Sequence, residues 1–327
     1  MRRRRFITLL GGATAWPFAA RAQQPVMPVI GYLSAASIET ARDYVAVFHR
    51  GLAHEGFAEG RNVGIEYRWA EGHNDRLPAL VEDLVRRQVA VIVVGASTPG
   101  ALAAKAATKT IPIVFYVGTD PVGIGLVASL AHPDGNVTGV TALNVELFSK
   151  SLELIHSLMS PAVTIAVLIN PANAPQSAIE RNTVLDVARI LDAHFVVLNA
   201  SSSSEIESAF ATIASERMGA LVVSIEVFFV TQRDLLVALA ARYRIPAIYE
   251  WREFVQAGGL MSYGSNLANG FQQIGIYAGR ILKGEKINDL PVQQATKIEL
   301  AINLKTAKAL GITVPPAILA RADEVIE

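Results

Sequence analysis

Ser97 and Thr98 stand in Gly95-Ala96-Ser97-Thr98-Pro99, directly after the apolar run VAVIVVG (89–95). Hydroxyls at a strand-to-helix turn cap the helix that follows, and Pro99 suits its first turn. The free N–H groups of a helix N-terminus also suit a carboxylate. On sequence, capping alone and capping combined with ligand contact both remain open. Gly118-Thr119-Asp120-Pro121 repeats the arrangement after PIVFYVG (112–118). Asp120 is there either a second cap or a carboxylate placed to pair with a ligand's amino group. Tyr249, Trp251 and Phe254 follow PAIYE (246–250), and Tyr263 precedes Gly264-Ser265-Asn266. Aromatic faces with polar tips grip organic solutes in clefts as readily as they pack in cores.

Other chemistries are excluded by what the chain lacks. Gly123-Ile124-Gly125-Leu126-Val127-Ala128 has the loose spacing of a dinucleotide loop, but Thr119-Asp120-Pro121-Val122 separates it from the strand where that motif needs an immediate turn. The cysteine count is 0, which removes disulfides, thiolate metal sites and a cysteine nucleophile. The histidines, at 49, 54, 73, 132, 156 and 194, show no compact metal-ligand spacing. There is no Gly-x-Ser-x-Gly elbow and no Walker loop. No catalytic residue, metal or cofactor is therefore expected. Lys+Arg and Asp+Glu are both 29, so the broad basic field of a nucleic-acid binder is missing.

The elements that position these residues alternate regularly. Near-continuous apolar runs, among them VIGYLS (29–34), TIAVLIN (164–170) and ALVVSIE (220–226), read as strands buried on both faces. Between them lie helical patterns, as in 266–283, where Leu267, Phe271, Ile274, Ala278 and Ile281 share one face and Gly284 stops the helix. Strand–helix alternation of this kind makes parallel sheets covered by helices. It runs twice, before and after the turn cluster His132-Pro133-Asp134-Gly135-Asn136, and 327 residues accommodate two lobes. The expected fold is α/β: two doubly wound parallel-sheet lobes, 29–138 plus 262–287 and 139–261 plus 288–327, with chain crossings near 138–143, 257–263 and 285–292. A cleft then lies between the carboxyl ends of the strands, and Ser34 of the first lobe and Asn170 of the second should both face it.

Residues 1–22 read as a secretory signal. Arg2 to Arg5 form a charged start, Phe6 to Ala20 an apolar stretch too short to span a bilayer, and Ala20-Arg21-Ala22 a cleavage site. Arg3-Arg4-Arg5-Phe6-Ile7 fits the twin-arginine (Tat) form. An ordinary Sec signal and a retained membrane anchor are the alternatives.

The stretches AKAATKTIPIVFYVGTDPVGIGLVASLAHPDGNVTGVT (104–141), LLVALAARYRIPAIYEWREFVQAGGLMSYGSN (235–266) and ILKGEKINDLPVQQATKIELAINLKTAKALGITVPPAILARADEVIE (281–327) resemble the ABC transporter substrate-binding family that includes tryptophan- and tyrosine-type binding proteins, a branch of the type I periplasmic binding proteins. The resemblance implies the venus-flytrap fold with a three-crossing hinge, a small organic solute as ligand, and a partner permease and ATPase. With the reading above it places Ser34, Ser97, Thr98, Thr119, Asp120, Thr141, Asn170, Glu226, Tyr249 and Tyr263 around the ligand. Glu226-Val227, where relatives often have Asp-Pro, and Glu250-Trp251, where they often have proline after the tyrosine, depart from the family pattern at the second-lobe rim. The expected protein is a monomeric, periplasmic solute-binding protein of an importer, not an enzyme, touching the membrane only through the permease. A periplasmic sensing ectodomain with the same cleft is the alternative.

Overall fold

The structure, a computed structural model, describes residues 27–142, 144–159, 162–295 and 297–327. The export signal expected over 1–22 lies outside the described residues. The first lobe opens with β1 (Val29–Ser34), α1 (Ile38–His54), β2 (Gly64–Trp69), α2 (Leu77–Arg86), β3 (Val91–Gly95), α3 (Thr98–Ala107), β4 (Ile113–Val117) and β5 (Val137–Thr141). The chain continues through α4 (Asn144–Leu158), β6 (Ile165–Ile169), α5 (Ala174–Leu191), β7 (Phe195–Asn199), α6 (Ser203–Ser215), β8 (Ala220–Val223), α7 (Val227–Thr231), α8 (Arg233–Tyr243), β9 (Ala247–Tyr249), α9 (Arg252–Gln256) and β10 (Met261–Ser265). It ends with α10 (Leu267–Leu282), β11 (Gln293–Gln294), β12 (Ile298–Asn303), α11 (Leu304–Leu310), α12 (Pro316–Leu319) and β13 (Glu324–Ile326).

Two sheets result, ordered β11-β5-β4-β3-β1-β2 and β13-β12-β10-β9-β8-β6-β7. All described pairings are parallel except β10 with β12. The parallel arrangement follows from composition: β3, β4 and β6 are buried along their whole length and rich in Val and Ile, as strands covered on both faces must be. In each sheet the strand order reverses once, between β1 and β3 and between β6 and β8. Those reversals leave a crevice at the carboxyl ends of the strands.

Sheet membership fixes where the chain passes between lobes. Met261–Ser265 pairs with β9 and β12 in the second sheet, so the passage back to the first lobe falls at Asn266. Gln293 and Gln294 pair with Val140 and Thr141 in the first sheet, so the last passage follows them. Both passages lie further along the chain than 257–263 and 285–292, because turn-forming Gly258-Gly259 and Pro291 precede strands that still belong to the sheet being left. Asn266 caps α10 by accepting from Asn269 N at 3.0 Å, and its amide donates to Glu299 Oε1 at 3.0 Å, tying two of the passages together.

Helix α10 belongs to the first lobe because it packs backbone to backbone on α1. A Cβ at Gly51 would lie 2.1 Å from Gln272 O, and one at Gly275 would lie 2.3 Å from Phe48 O. Only glycine permits that approach. Among the described residues, no helix is long and apolar enough to cross a membrane.

Candidate functional site

The crevices of the two sheets face each other across a pocket with about 480 Å³ of space between atoms, part of it open to solvent. From the first lobe come Ala35 after β1, the turn Ala96-Ser97-Thr98 after β3, Val117-Gly118 at the end of β4 with Tyr116 beside them, and Ala142 after β5. From the second lobe come Asn173 and Gln176 at the start of α5, Ile225 and Glu226 after β8, and Trp251 after β9. A second, almost wholly apolar chamber adjoins it, lined by Ala41, Tyr44, Val230, Leu267 and Phe271, with Ser34 also on its wall. Ala96, Trp251 and Leu267 border both chambers. Tyr44 and Phe271 stack at 4.9 Å and 17°. The combined space thus has a polar end and an aromatic end, with Trp251 on the wall between them.

The first-lobe wall is internally satisfied. Ser97 Oγ accepts from Gly100 N at 3.0 Å, so it does cap α3, and its hydroxyl proton stays free to donate. Thr98 Oγ1 and Thr119 Oγ1 are 3.0 Å apart, and Thr141 Oγ1 donates to Thr119 O at 3.0 Å. Thr119 and Thr141 therefore stand behind Thr98 and hold it in place. Ala96 carries this turn at a φ of 50°, a left-handed conformation that costs a non-glycine residue energy and recurs at binding turns. Tyr116 Oη lies 3.3 Å from Ser265 Oγ across the lobes, and burial pushes its phenol upward from the ordinary range.

The second-lobe wall is built differently. Asn173 is the N-cap of α5, yet its side chain makes no cap bond. Instead Nδ2 donates to Glu226 Oε1 at 3.1 Å. Glu226 in turn caps α7 by accepting from Phe228 N at 2.5 Å. Burial raises the Glu226 carboxyl above its usual range, against the lowering effect of these N–H donors. Behind it, burial raises Glu180 to about 8, with Gln176 donating to it at 2.9 Å. Glu250 is raised well above the carboxylate range by burial and by the nearby Glu180 and Glu253, and neither of its oxygens has a hydrogen-bond partner. Asn173 Oδ1 and Trp251 Nε1 are likewise buried without partners.

Of the residues expected around a ligand, Ser97, Thr98 and Glu226 line the polar chamber and Ser34 the apolar one. Thr119 and Thr141 form the layer behind. Asn170 sits at the end of β6, where its Oδ1 accepts from Ala172 N at 3.0 Å and its amide faces Glu226. Three residues lie elsewhere. Asp120 is exposed, accepts from Val122 N at 3.0 Å and borders a separate surface groove with Ile124, Glu146 and Ile179. The loop Asp120-Pro121-Val122-Gly123 turns outward on that bond, away from the cavity. Tyr249 is sealed under the second sheet, stacked on Phe254 at 4.6 Å, because it is still inside strand β9; past the strand end, Trp251 is the residue that reaches the crevice. Tyr263 is half-buried within β10, and its backbone carbonyl faces Ser151 Oγ. Sequence reasoning did not select Asn173, Gln176, Tyr116, Tyr44 or Phe271. Asn173 had a usable signal, a turn residue just before Pro175 at a helix start. The two aromatic residues of the apolar chamber had none, since they read as helix core. Among the described residues there is no group of His, Asp and Glu that could hold a metal ion.

A family model described as "ABC transporter substrate binding protein" matches residues 29–326. The chain belongs to this family. A curated relative named tyrosine-binding protein, from Clostridioides difficile (strain R20291), is 30% identical over 270 residues, covering 81% of this chain and 75% of the relative. Among solved structures, a conserved domain protein from Vibrio cholerae superposes with a TM-score of 0.81 at 31% identity, over 91% of this chain and 99% of that one. The ABC domain from Streptococcus pneumonia in complex with L-Trp gives 0.78 at 27% identity, with the same coverages of 91% and 99%. A ligand-free, open substrate binding protein with adhesive properties from Clostridium difficile gives only 0.62 at 25% identity, again over 91% and 99%. At nearly equal identity, this ABC substrate-binding protein thus overlays better on the L-Trp complex than on the ligand-free, open structure. The fold is the two-lobed α/β fold of type I solute-binding proteins, in a family whose members act outside the cytoplasm and whose kind is binding, not catalysis.

Proposed function

We propose that this chain is the periplasmic solute-binding component of an ABC importer and that its solute is an amino acid with an aromatic or branched side chain. The observation that carries this is the two-chamber cavity, whose polar end offers hydroxyls, amides and one acid while its apolar end offers a slot walled by Tyr44, Phe271 and Trp251. A ligand with a charged head and an apolar side chain satisfies both ends at once. The relatives named for tyrosine binding and crystallised with L-Trp support the same class.

Ser97, Thr98 and the N-terminus of α3 receive the ligand's carboxylate. Asn173, Gln176 and Glu226 receive its opposite end, and Trp251 closes over the side chain. Because these groups belong to different lobes, a solute touching both favours the closed arrangement by its differential affinity. The closed surface is what the permease recognises, with an ATPase driving transport. Export through the twin-arginine signal delivers the chain to its site of action, and replacing Arg3-Arg4 with Lys-Lys should abolish export.

Melting curves of the mature chain against a panel of L-amino acids, aromatic carboxylates and sugar alcohols test the reading. An aromatic or branched amino acid should raise the melting temperature in proportion to the logarithm of its concentration. A shift confined to the sugar alcohols, or none at all, overturns it.

A further inference from the structure

We propose that the amine of the solute, on entering the cleft, displaces a proton held among three second-lobe carboxyls, Glu226, Glu180 and Glu250. This rests on the solute-binding reading above and adds that uptake of the amine is coupled to release of a proton.

Neither chamber is lined by a Lys, Arg or His among the described residues, and Glu226 is the acid on the wall. Glu226, Glu180 and Glu250 are all more than nine-tenths buried, at 8%, 2% and 4% exposure. Among the described residues, none of the three forms an ion pair. The guanidiniums nearest in sequence are engaged elsewhere, Arg181 with Asn199 Oδ1, Arg233 with Asp234, and Arg252 with Glu299 and Glu324. The groups facing each carboxyl are otherwise neutral or acidic. Glu226 faces Asn170, Asn173 and Phe228 N. Glu180 faces Gln176, Ser224, Ile225 N and Glu226. Glu250 faces Glu180, Glu253 and, from the first lobe, Tyr116. Glu253 is the one with cations near it, Arg252 and Arg233, opposed by Glu299.

A buried carboxyl without a cation keeps its proton, because a lone charge in a dry site is costly. An ammonium group reverses that preference. It has three donors and no acceptor, and the cavity wall holds two acceptors on adjoining side chains, Glu226 Oε1 and Asn173 Oδ1, the latter unpartnered and 6% exposed. The exchange balances as carboxylic acid plus ammonium giving a carboxylate–ammonium pair and one proton released to solvent. A solute with a carboxylate and no amine would instead bring a second acid into a wall that already lacks counter-charge.

Titration calorimetry of the mature chain with L-tryptophan, tryptamine and indole-3-propionate, each in phosphate and in Tris at one near-neutral pH, tests this. The two amines should bind, indole-3-propionate should bind at least tenfold more weakly than L-tryptophan, and the amine heats should differ between buffers as proton release demands. Glu226→Gln should weaken the amines at least tenfold and remove the buffer dependence, while its circular dichroism melt reports that it still folds. Equal affinity for indole-3-propionate, or heats independent of buffer, overturns the proposal and leaves solute capture standing. If these three do not bind, the matched amine and acid of whichever amino acid stabilises the chain most are titrated in their place, with the same outcomes. A panel in which only carboxylates or sugar alcohols stabilise the chain overturns it as well.

Discussion

The two walls of the cleft solve the same problem in opposite ways. On the first-lobe side every named hydroxyl is already engaged: Ser97 caps α3, and Thr98, Thr119 and Thr141 form a hydrogen-bonded row. On the second-lobe side Asn173 Oδ1 and Trp251 Nε1 are buried with nothing to bond. A buried group without a partner costs about 1–3 kcal/mol. The first wall is therefore a surface shaped in advance, stable with or without ligand. The second carries an unpaid desolvation cost that a ligand of the right chemistry relieves. Specificity should accordingly reside in the second lobe and rigidity in the first.

Substitutions can break or sharpen this contrast. The largest effect is expected from Glu226→Ala, which removes the acid from the polar wall and leaves Asn173 Nδ2 and Phe228 N without their acceptor. Binding of an amine-bearing solute should fall by about a hundredfold by calorimetry, in line with about 3 kcal/mol for a lost charge-assisted contact. Next comes pH. Glu180 is raised to about 8 in the folded chain, so the folded state holds more protons than the unfolded one between its ordinary carboxylate value and that point. Apo stability is then full below the ordinary range and declines as pH rises toward about 8. Denaturant melts across that interval should show the decline, and Glu180→Gln should flatten it. A Glu180→Gln profile as steep as the parent's would locate the titration elsewhere.

Trp251→Phe keeps an aromatic wall but deletes the unpartnered donor. Ligand affinity should fall several-fold, whereas apo stability should hold or rise by about 1 kcal/mol. On the first-lobe side the signs are reversed: Thr141→Val should lower apo stability by about 1 kcal/mol and change affinity less than threefold. The smallest effect is expected at Asp120, where alanine should leave affinity within twofold, since the side chain is exposed and turned toward its own loop.

The alternation of buried β-branched runs and amphipathic helices made both sheets legible, because burial on two faces leaves an unmistakable composition in β3, β4 and β6. The turn carrying Ser97 and Thr98 was legible for the same reason, since a strand end followed by hydroxyls and proline has few other meanings. Asp120 misled because an Asx turn and a ligand contact use the same residue in the same place. Tyr249 misled by position, one step inside a strand end that sequence locates only approximately. The pairing of Asn173 with Glu226 joins residues far apart in sequence, from the ends of β6 and β8, and no local pattern announces it. The apolar chamber was hidden in helices α1 and α10, whose inward residues carry the same periodicity whether they fill a core or wall a slot.

The glycine contact between α1 and α10 reaches beyond packing. Helix α1 ends at His54, whereas its partner begins only at Leu267, and the sheet edge at β5 is completed by Gln293 and Gln294. A growing chain emerging from the ribosome therefore lacks both pieces until most of it has been made. The first lobe, though begun earlier, finishes after the core of the second, and N-terminal-first assembly during synthesis is closed to it. A ribosome stalled before residue 267 would hold an unsealed half with the glycine face of α1 open to solvent.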